Sequence, residues 1–278
     1  MVITNRDLDL FRKLSIYGML STKQISSICF NSIALTTVLR RLRLLEENKY
    51  LQRILGLESQ DVLWILSSKG AETASVEIPK RHWSKNMLEH DFKLLSLRLF
   101  LEGCGLAHSW MPEHSIRSNI FRKIGLRAGK EKLIPDGFMG TEAEGKRLSV
   151  AVELELTLKN KDKLRTTLSR YRRQEGILGV WYISPSVSLL NSLIPIWKGQ
   201  EASSNGAKLY LSVLHEVMKN PLQAKVFYDG RGLETSSLWT PKAAHSPAQG
   251  VSIKNGNQEH YKREASSHNH APNLKEAS

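Results

Sequence analysis

One segment limits the folds open to this chain more than any other: Val150-Ala151-Val152-Glu153-Leu154-Glu155-Leu156. Its alternation is that of a β-strand. Val152, Leu154 and Leu156 point one way, while Glu153, Glu155, Thr157 and Lys159 point the other. Two carboxylates at that spacing stand about 7 Å apart at Cβ. Like charges that close are costly unless a cation or a basic group sits between them. The plainer reading is an edge strand whose acidic face lies in water. Ahead of it, Ile134-Pro135-Asp136-Gly137 supplies a further acid from an adjacent strand. Asp136, Glu153 and Glu155 together would form an oxygen site suited to Mg2+ or Mn2+. An ion held there would polarise a phosphodiester and lower the pKa of an attacking water.

The flanking sequence reads as α/β. An amphipathic helix at 85–102 carries Glu89, His90 and Asp91, and strands follow at 107–114, 132–139 and 148–158. Next come a helix at 162–174, an apolar strand at 179–183, a helix at 187–197, and strands near 208–213 and 225–228. Helix, three strands, helix, strand predicts a mixed sheet that opens with an antiparallel meander. Between the first two strands lies a basic stretch, 117–132, in which Gly125 and Gly129 predict turns. Segment 159–173 carries seven basic residues against the single acid Asp162. With Leu164, Leu168 and Tyr171 inward, Lys163, Arg165, Arg170 and Arg172 face outward, where they would hold a phosphate backbone. A merely solvated basic face is the alternative.

The first 75 residues have a different pattern. A helix over 7–19 buries Leu8, Leu10, Phe11 and Leu14, and Ser21-Thr22-Lys23-Gln24 has capping-box spacing that opens a short second helix. A third helix over 32–47 places Ile33, Leu35, Val38, Leu39, Leu42 and Leu45 inward. Extended runs at 50–55 and 62–66 flank a polar hairpin tip, 56–61. Three helices followed by a two-stranded wing is the order of a winged helix. Its third helix would offer Thr36, Thr37, Arg40, Arg41 and Arg43 to the major groove of double-stranded DNA.

The expected organisation is therefore a winged helix at 1–75, a linker at 76–84 around Pro79, and a mixed-sheet α/β domain at 85–233. A disordered tail at 234–278 follows, too poor in apolar residues to order itself. Forty basic residues against 27 acidic ones give a net charge of +13, which favours polyanionic partners. No apolar run approaches the roughly 20 residues of a membrane span. The first residues lack the layout of a secretory signal, so a cytoplasmic protein with no membrane partner is expected. Cys29 and Cys104 are expected as free thiols, neither disulfide-bonded nor zinc-bound.

Pro135-Asp136, Glu153-x-Glu155 and the basic helix after them resemble the PD-(D/E)xK nuclease superfamily. The nearer resemblance is to the replication-relaxation family, which includes the MobC-type relaxases of mobilisable plasmids. It rests on Asn5-Arg6-Asp7, Leu20-Ser21-Thr22-Lys23-Gln24-Ile25, His90-Asp91, Pro135-Asp136, the 152–159 strand, Tyr171 and Val180-Trp181-Tyr182. It implies a winged helix ahead of a restriction-endonuclease-like domain, nicking at a plasmid transfer origin, and work beside an accessory mobilisation protein and a coupling protein. By the same resemblance Asp136 and Glu153 are metal ligands, and Glu89 supplies an optional helical acid, with His90 or Asp91 as alternatives. The superfamily's lysine is replaced here by Glu155, or else Lys159 reaches back to serve. Tyr171 invites a covalent-nucleophile reading, against a packing or phosphate role. A non-catalytic DNA-binding protein, either a replication accessory factor or a transcriptional regulator, is the competing expectation.

Overall fold

The structure is a computed structural model that describes residues 1–55, 62–78, 84–129, 132–157, 160–200 and 206–240. The chain falls into two compact units, Met1–Phe92 and a second that begins at Lys93. The first contains α1 (Asn5–Tyr17), β1 (Leu20–Ser21), α2 (Thr22–Cys29), α3 (Leu35–Glu47), β2 (Leu51–Ile54), β3 (Leu63–Leu66) and α4 (Ser68–Ala74). Capping boxes open α1 (Thr4 with Asp7) and α2 (Ser21 with Gln24). Each satisfies backbone donors that a first helical turn leaves open. The strands pair antiparallel in the order β1-β3-β2. The three helices and the hairpin are those the periodicity predicts. β1 and α4 are additions too short for a periodicity to register. The expected hairpin tip, 56–61, and residues 79–83 of the expected linker lie outside the described residues.

Leu10, Phe11, Leu14, Ile25, Val38, Leu42, Leu45 and Trp64 are buried in this unit. The Trp64 indole N–H donates to Thr22 Oγ1 at 2.9 Å, so its polar atom is satisfied inside the core. α3 starts at Leu35 rather than at residue 32. Ser32 has φ of 67°, a left-handed turn geometry through which no right-handed helix runs. As a result Leu35 is exposed, and Ile33 and Leu39 are only half-buried.

Arg41 departs from its expected role. Its Nε donates to Asp7 Oδ1 at 2.9 Å, and its Nη2 donates to Asp7 Oδ2 at 2.5 Å and to the Val2 carbonyl at 2.9 Å. Asp7 is buried. The guanidinium therefore ties α3 to α1 by a two-pronged ion pair and is not available to a DNA groove. Burial alone would raise the Asp7 pKa. The bonds from Arg41 and Thr4 outweigh it and hold the carboxyl below its usual 3.8.

The boundary between the units falls inside α5 (Lys85–Gly103). Beyond it run β4 (Ser109–Pro112), α6 (Glu113–Gly129), β5 (Gly137–Ala143), β6 (Lys146–Leu154), α7 (Lys161–Arg172) and β7 (Gly179–Ser184). They are followed by α8 (Val187–Lys198), β8 (Lys208–Val213), α9 (Leu214–Lys219), β9 (Lys225–Tyr228), β10 (Arg231–Glu234) and α10 (Thr235–Leu238). Among the described residues seven strands form one mixed sheet, in the order β10-β9-β8-β7-β6-β5-β4. β4, β5 and β6 make the antiparallel meander that the sequence predicts, and β6, β7 and β8 run parallel.

Each face of the sheet carries a core. Leu97 and Leu101 of α5 pack with Val152, Leu154, Trp181 and Ile183 on one side. Leu164 and Leu168 of α7 and Leu189 and Leu193 of α8 pack with Ala151, Val180, Tyr182 and Leu211 on the other. The fold is mixed α/β, as the alternation of helical and strand periods indicates.

Most of the basic stretch, through Gly129, is helical, in two pieces parted at Gly125, whose φ of 80° and ψ of 165° make the turn that the sequence predicts there. One expectation is corrected here. The segment from 234 is not uniformly irregular, since Glu234 closes β10, 235–238 form α10 and Trp239 is buried. The Trp239 ring lies 4.8 Å from Trp181 and 5.4 Å from Tyr210, and one aromatic anchor is enough to fix a short polar segment. Residues 241–278 lie outside the described ones.

Breaking a buried pair strands the remaining charge, so Arg41→Ala should cost about 3 kcal/mol, read by chemical denaturation. Because the folded pKa of Asp7 is depressed, its contribution is complete above the unfolded value and fades as pH falls below about 4. In Arg41→Ala that acid-side loss should shrink.

Candidate functional site

β6 is an interior strand, with β5 antiparallel on one side and β7 parallel on the other. The reading of Glu153-x-Glu155 as a solvated edge is thereby excluded: Glu153 is 7% exposed and Glu155 4%. Strand register aligns the acids. Gly137 faces Val152, so Asp136, one residue earlier, falls opposite Glu153, and Glu153 in turn faces Tyr182 of β7. Residues facing one another on neighbouring strands point to the same side of a sheet. Asp136, Glu153 and Tyr182 thus form one row across three strands. Glu155 follows two residues on, and its N–H donates to the Ile183 carbonyl at 2.9 Å, carrying β6 past its last ladder pair.

Local sequence explains why Asp136 sits where it does. Pro135 has no N–H to give a ladder, and pairing of β5 begins only at Gly137. The Asp136 carboxylate takes over from the backbone, its Oδ2 accepting the Leu154 N–H at 2.8 Å. Gly137 is required by packing: a Cβ there would lie 2.5 Å from the Trp110 ring. The indole fills the space of the missing side chain and fixes the point at which Asp136 joins the sheet.

α7 closes the row from above. Tyr171, 1% exposed, donates its hydroxyl to Glu153 Oε1. Its ring meets Tyr182 edge-on, with centroids 6.4 Å apart and planes at 88°. Burial pushes both phenols well above the ordinary tyrosine range, and Glu153 opposes ionisation of each. Glu155 and Asp136 add to that opposition at Tyr182, and Tyr182 and Asp136 add to it at Tyr171. All three expected acids therefore act on one buried tyrosine pair. Tyr171 does not suit the nucleophile expectation, because its oxygen is buried, donates to a carboxylate and resists forming the phenolate. Tyr182 carries no sequence signal of a place beside the acids, since the strand pattern marks it as apolar and only the β6–β7 register brings it beside Glu153.

The donor set is hard oxygen, the chemistry Mg2+ and Mn2+ prefer. One oxygen of Asp136 is turned to Leu154, and one of Glu153 to Tyr171. Among the described residues no three His, Cys, Asp or Glu side chains are arranged to enclose an ion. Glu89, His90 and Asp91 belong to the first unit, which ends at Phe92. Lys159 lies outside the described residues.

Of the basic set on α7, Lys163, Arg165 and Arg170 are exposed as expected. Arg172 is not outward, for its guanidinium lies 5.2 Å from the ring of Trp197 on α8, a cation–π contact that packs it between the helices. In the first unit Thr36, Thr37, Arg40 and Arg43 are exposed on α3. Both cysteines are free, as expected, and burial raises the Cys29 thiol to about 11. Among the described residues no helix is long and apolar enough to cross a membrane.

No protein-family model matches the chain, and no curated protein matches it. Among solved structures it is similar to the restriction endonuclease FokI bound to DNA, at 10% identity and a TM-score of 0.24. It is also similar to a structure of restriction endonuclease FokI at 14% identity and the same TM-score. Each match covers 79% of this chain and 46% of the other, so the chain spans less than half the length of those structures. An overlap this loose does not define a shared fold.

With both phenols held above their usual range, ultraviolet titration of the folded protein through pH 10 should leave Tyr171 and Tyr182 un-ionised. Tyr171→Phe should then leave the titration curve in that range unchanged. A phenolate signal lost in this variant would show that Tyr171 is accessible after all.

Proposed function

We propose that this chain is a divalent-metal-dependent DNA-nicking nuclease, a relaxase acting at a plasmid transfer origin, in which the first unit binds duplex DNA and the second cuts one strand. The observation that carries this reading is the row of half-buried Asp136 and buried Glu153 and Tyr182 across neighbouring strands, with buried Glu155 beside it. Buried carboxylates this close to one another are stabilised by a cation, and phosphodiester cleavage is chemistry that such a cation serves.

Asp136 and Glu153 would hold Mg2+ or Mn2+, which supplies polarisation of the phosphoryl oxygen and a water of lowered pKa. Tyr171 holds Glu153 in one orientation through its hydroxyl bond. Lys163, Arg165 and Arg170 hold the phosphates on either side of the scissile bond. Glu155 would take up the proton of the attacking water. Attack by that water forms a new P–O bond, the bond to the leaving sugar oxygen breaks, and that oxygen takes a proton from solvent. This hydrolytic course avoids Tyr171 as nucleophile. Sequence reading falls to α3, with Thr36 and Thr37 at its first turn and Arg40 and Arg43 beyond, set in a winged helix over 1–75. Origin-bound accessory and coupling proteins, and a cytoplasmic location, belong to the same proposal.

A second reading, a non-catalytic DNA-binding protein such as a replication accessory factor or a transcriptional regulator, draws on the bonds that already engage Asp136 Oδ2 and Glu153 Oε1. Titration calorimetry with Mn2+ separates the two. Heat of binding that disappears in Asp136→Asn supports the nuclease, and no heat in the wild-type chain supports the rival.

Supercoiled origin plasmid with Mg2+ should be converted to open circle. Asp136→Asn and Glu153→Gln should slow that conversion about a thousandfold, the several kcal/mol that charge stabilisation by a metal contributes. Tyr171→Phe, which removes one orienting hydrogen bond, should slow it about tenfold. Nicking at wild-type rate in Asp136→Asn would sink the site. Separately, Arg40→Ala with Arg43→Ala should weaken binding to origin duplex and lower the salt slope by about 1.8, at roughly 0.9 per phosphate contact.

A further inference from the structure

A groove of about 660 Å³ opens on the second unit between the outward face of α7 and the segment that leads into β5. Arg165, Ser169, Arg170 and Arg173 line one wall, and Lys132 and Gln200 stand among the other lining residues. None of the lining side chains is acidic, and none is aromatic. Arg173 is pre-set, its Nη2 donating to Ser169 Oγ at 2.5 Å, and a hydrogen-bonded guanidinium loses less freedom when it takes up a ligand. Arg165 faces Asp162 only at 3.5 Å, in an exposed pair that water and salt weaken.

We infer that this groove holds the sugar–phosphate backbone of DNA by its phosphates and reads no bases. Four cations with hydroxyl and amide donors match the oxygens of successive phosphodiesters. Contacts to phosphate oxygens fix a strand in place and carry no sequence information of their own. The groove is also fixed relative to the acids. The helix that lines it buries Tyr171 against Glu153 on its inner side, and Lys132 precedes Asp136 by four positions in the chain. A strand held there lies on the outer face of the helix whose inner face covers the Asp136–Glu153 row, and phosphate contacts give it no sequence preference of its own, so selection of a site must come from another surface. The inference rests on the nucleic-acid reading above and deepens it by assigning backbone contact to a specific groove.

The test is DNA binding by the full chain in EDTA, where no cleavage occurs, followed by fluorescence anisotropy with two labelled 20-base-pair duplexes of unrelated sequence. Arg165→Gln with Arg173→Gln should weaken both duplexes by the same factor, about tenfold at 0.15 M salt, and reduce the salt slope by about 1.8. Arg165→Lys with Arg173→Lys should restore most of that slope, which a merely misfolded chain would not do. Unchanged affinity in the glutamine variant, or a loss confined to one duplex, overturns the inference. The two proposals fail separately. Wild-type nicking with unchanged binding in the glutamine variant rejects the groove alone. Absence of nicking with the expected loss of binding rejects the nuclease and leaves the groove standing.

Discussion

Placing carboxylates inside a sheet creates a problem that the rest of the second unit is arranged around. Glu153 and Glu155 sit on an interior strand, nearly out of solvent, where a charged group loses most of its hydration. Polar neighbours must then replace water, and α7 supplies one by lowering the Tyr171 hydroxyl onto Glu153. β7 brings Tyr182 alongside, and β5 brings Asp136, a further like charge that adds to the problem. α7 can approach that closely because its inner face is Leu164, Leu168 and Tyr171, two aliphatic side chains and one with a polar tip. The helix that seals the acids is the helix whose outer face is cationic.

That arrangement gives one element two chemistries. A 3.6-residue period lets α7 bury a stripe at 164, 168 and 171 while turning 165, 169, 170 and 173 to solvent. Position 172 falls between the stripes, which is why Arg172 packs on Trp197 instead of facing outward. The first unit uses a buried ion in a different way. Asp7 is neutralised by Arg41 in a fixed two-pronged pair, so its charge contributes to architecture and leaves Arg40 and Arg43 as the exposed cations of α3. Adjacent arginines thus take opposite roles, set by about 100° of helical rotation.

Periodicity alone marked most of the elements correctly, because it reports which face of a helix or strand leaves water, and that is a local property. The capping box at Ser21 and Gln24 and the burial of Leu164, Leu168 and Tyr171 were visible for the same reason. Where reading failed, a local signal had two meanings. Ser32 lies in a segment with helical periodicity, yet its left-handed φ of 67° delays the third helix to Leu35. Polar composition from 234 onward signals disorder, yet Trp239 finds Trp181 and Tyr210 across the sheet.

By itself the sequence determined the mixed α/β character, the opposed faces of the Glu153 strand and the cationic character of α7. Each follows from the spacing of residues along the chain. Tertiary structure alone decided that the strand is interior, that Asp136 and Tyr182 flank Glu153, that Tyr171 is a buried donor, and that Arg41 belongs to Asp7. Those facts depend on register and on pairs up to 34 residues apart. Hydrogen bonding between strands is made by backbone groups common to all residues except proline, so side-chain spacing cannot specify which strand lies next to which.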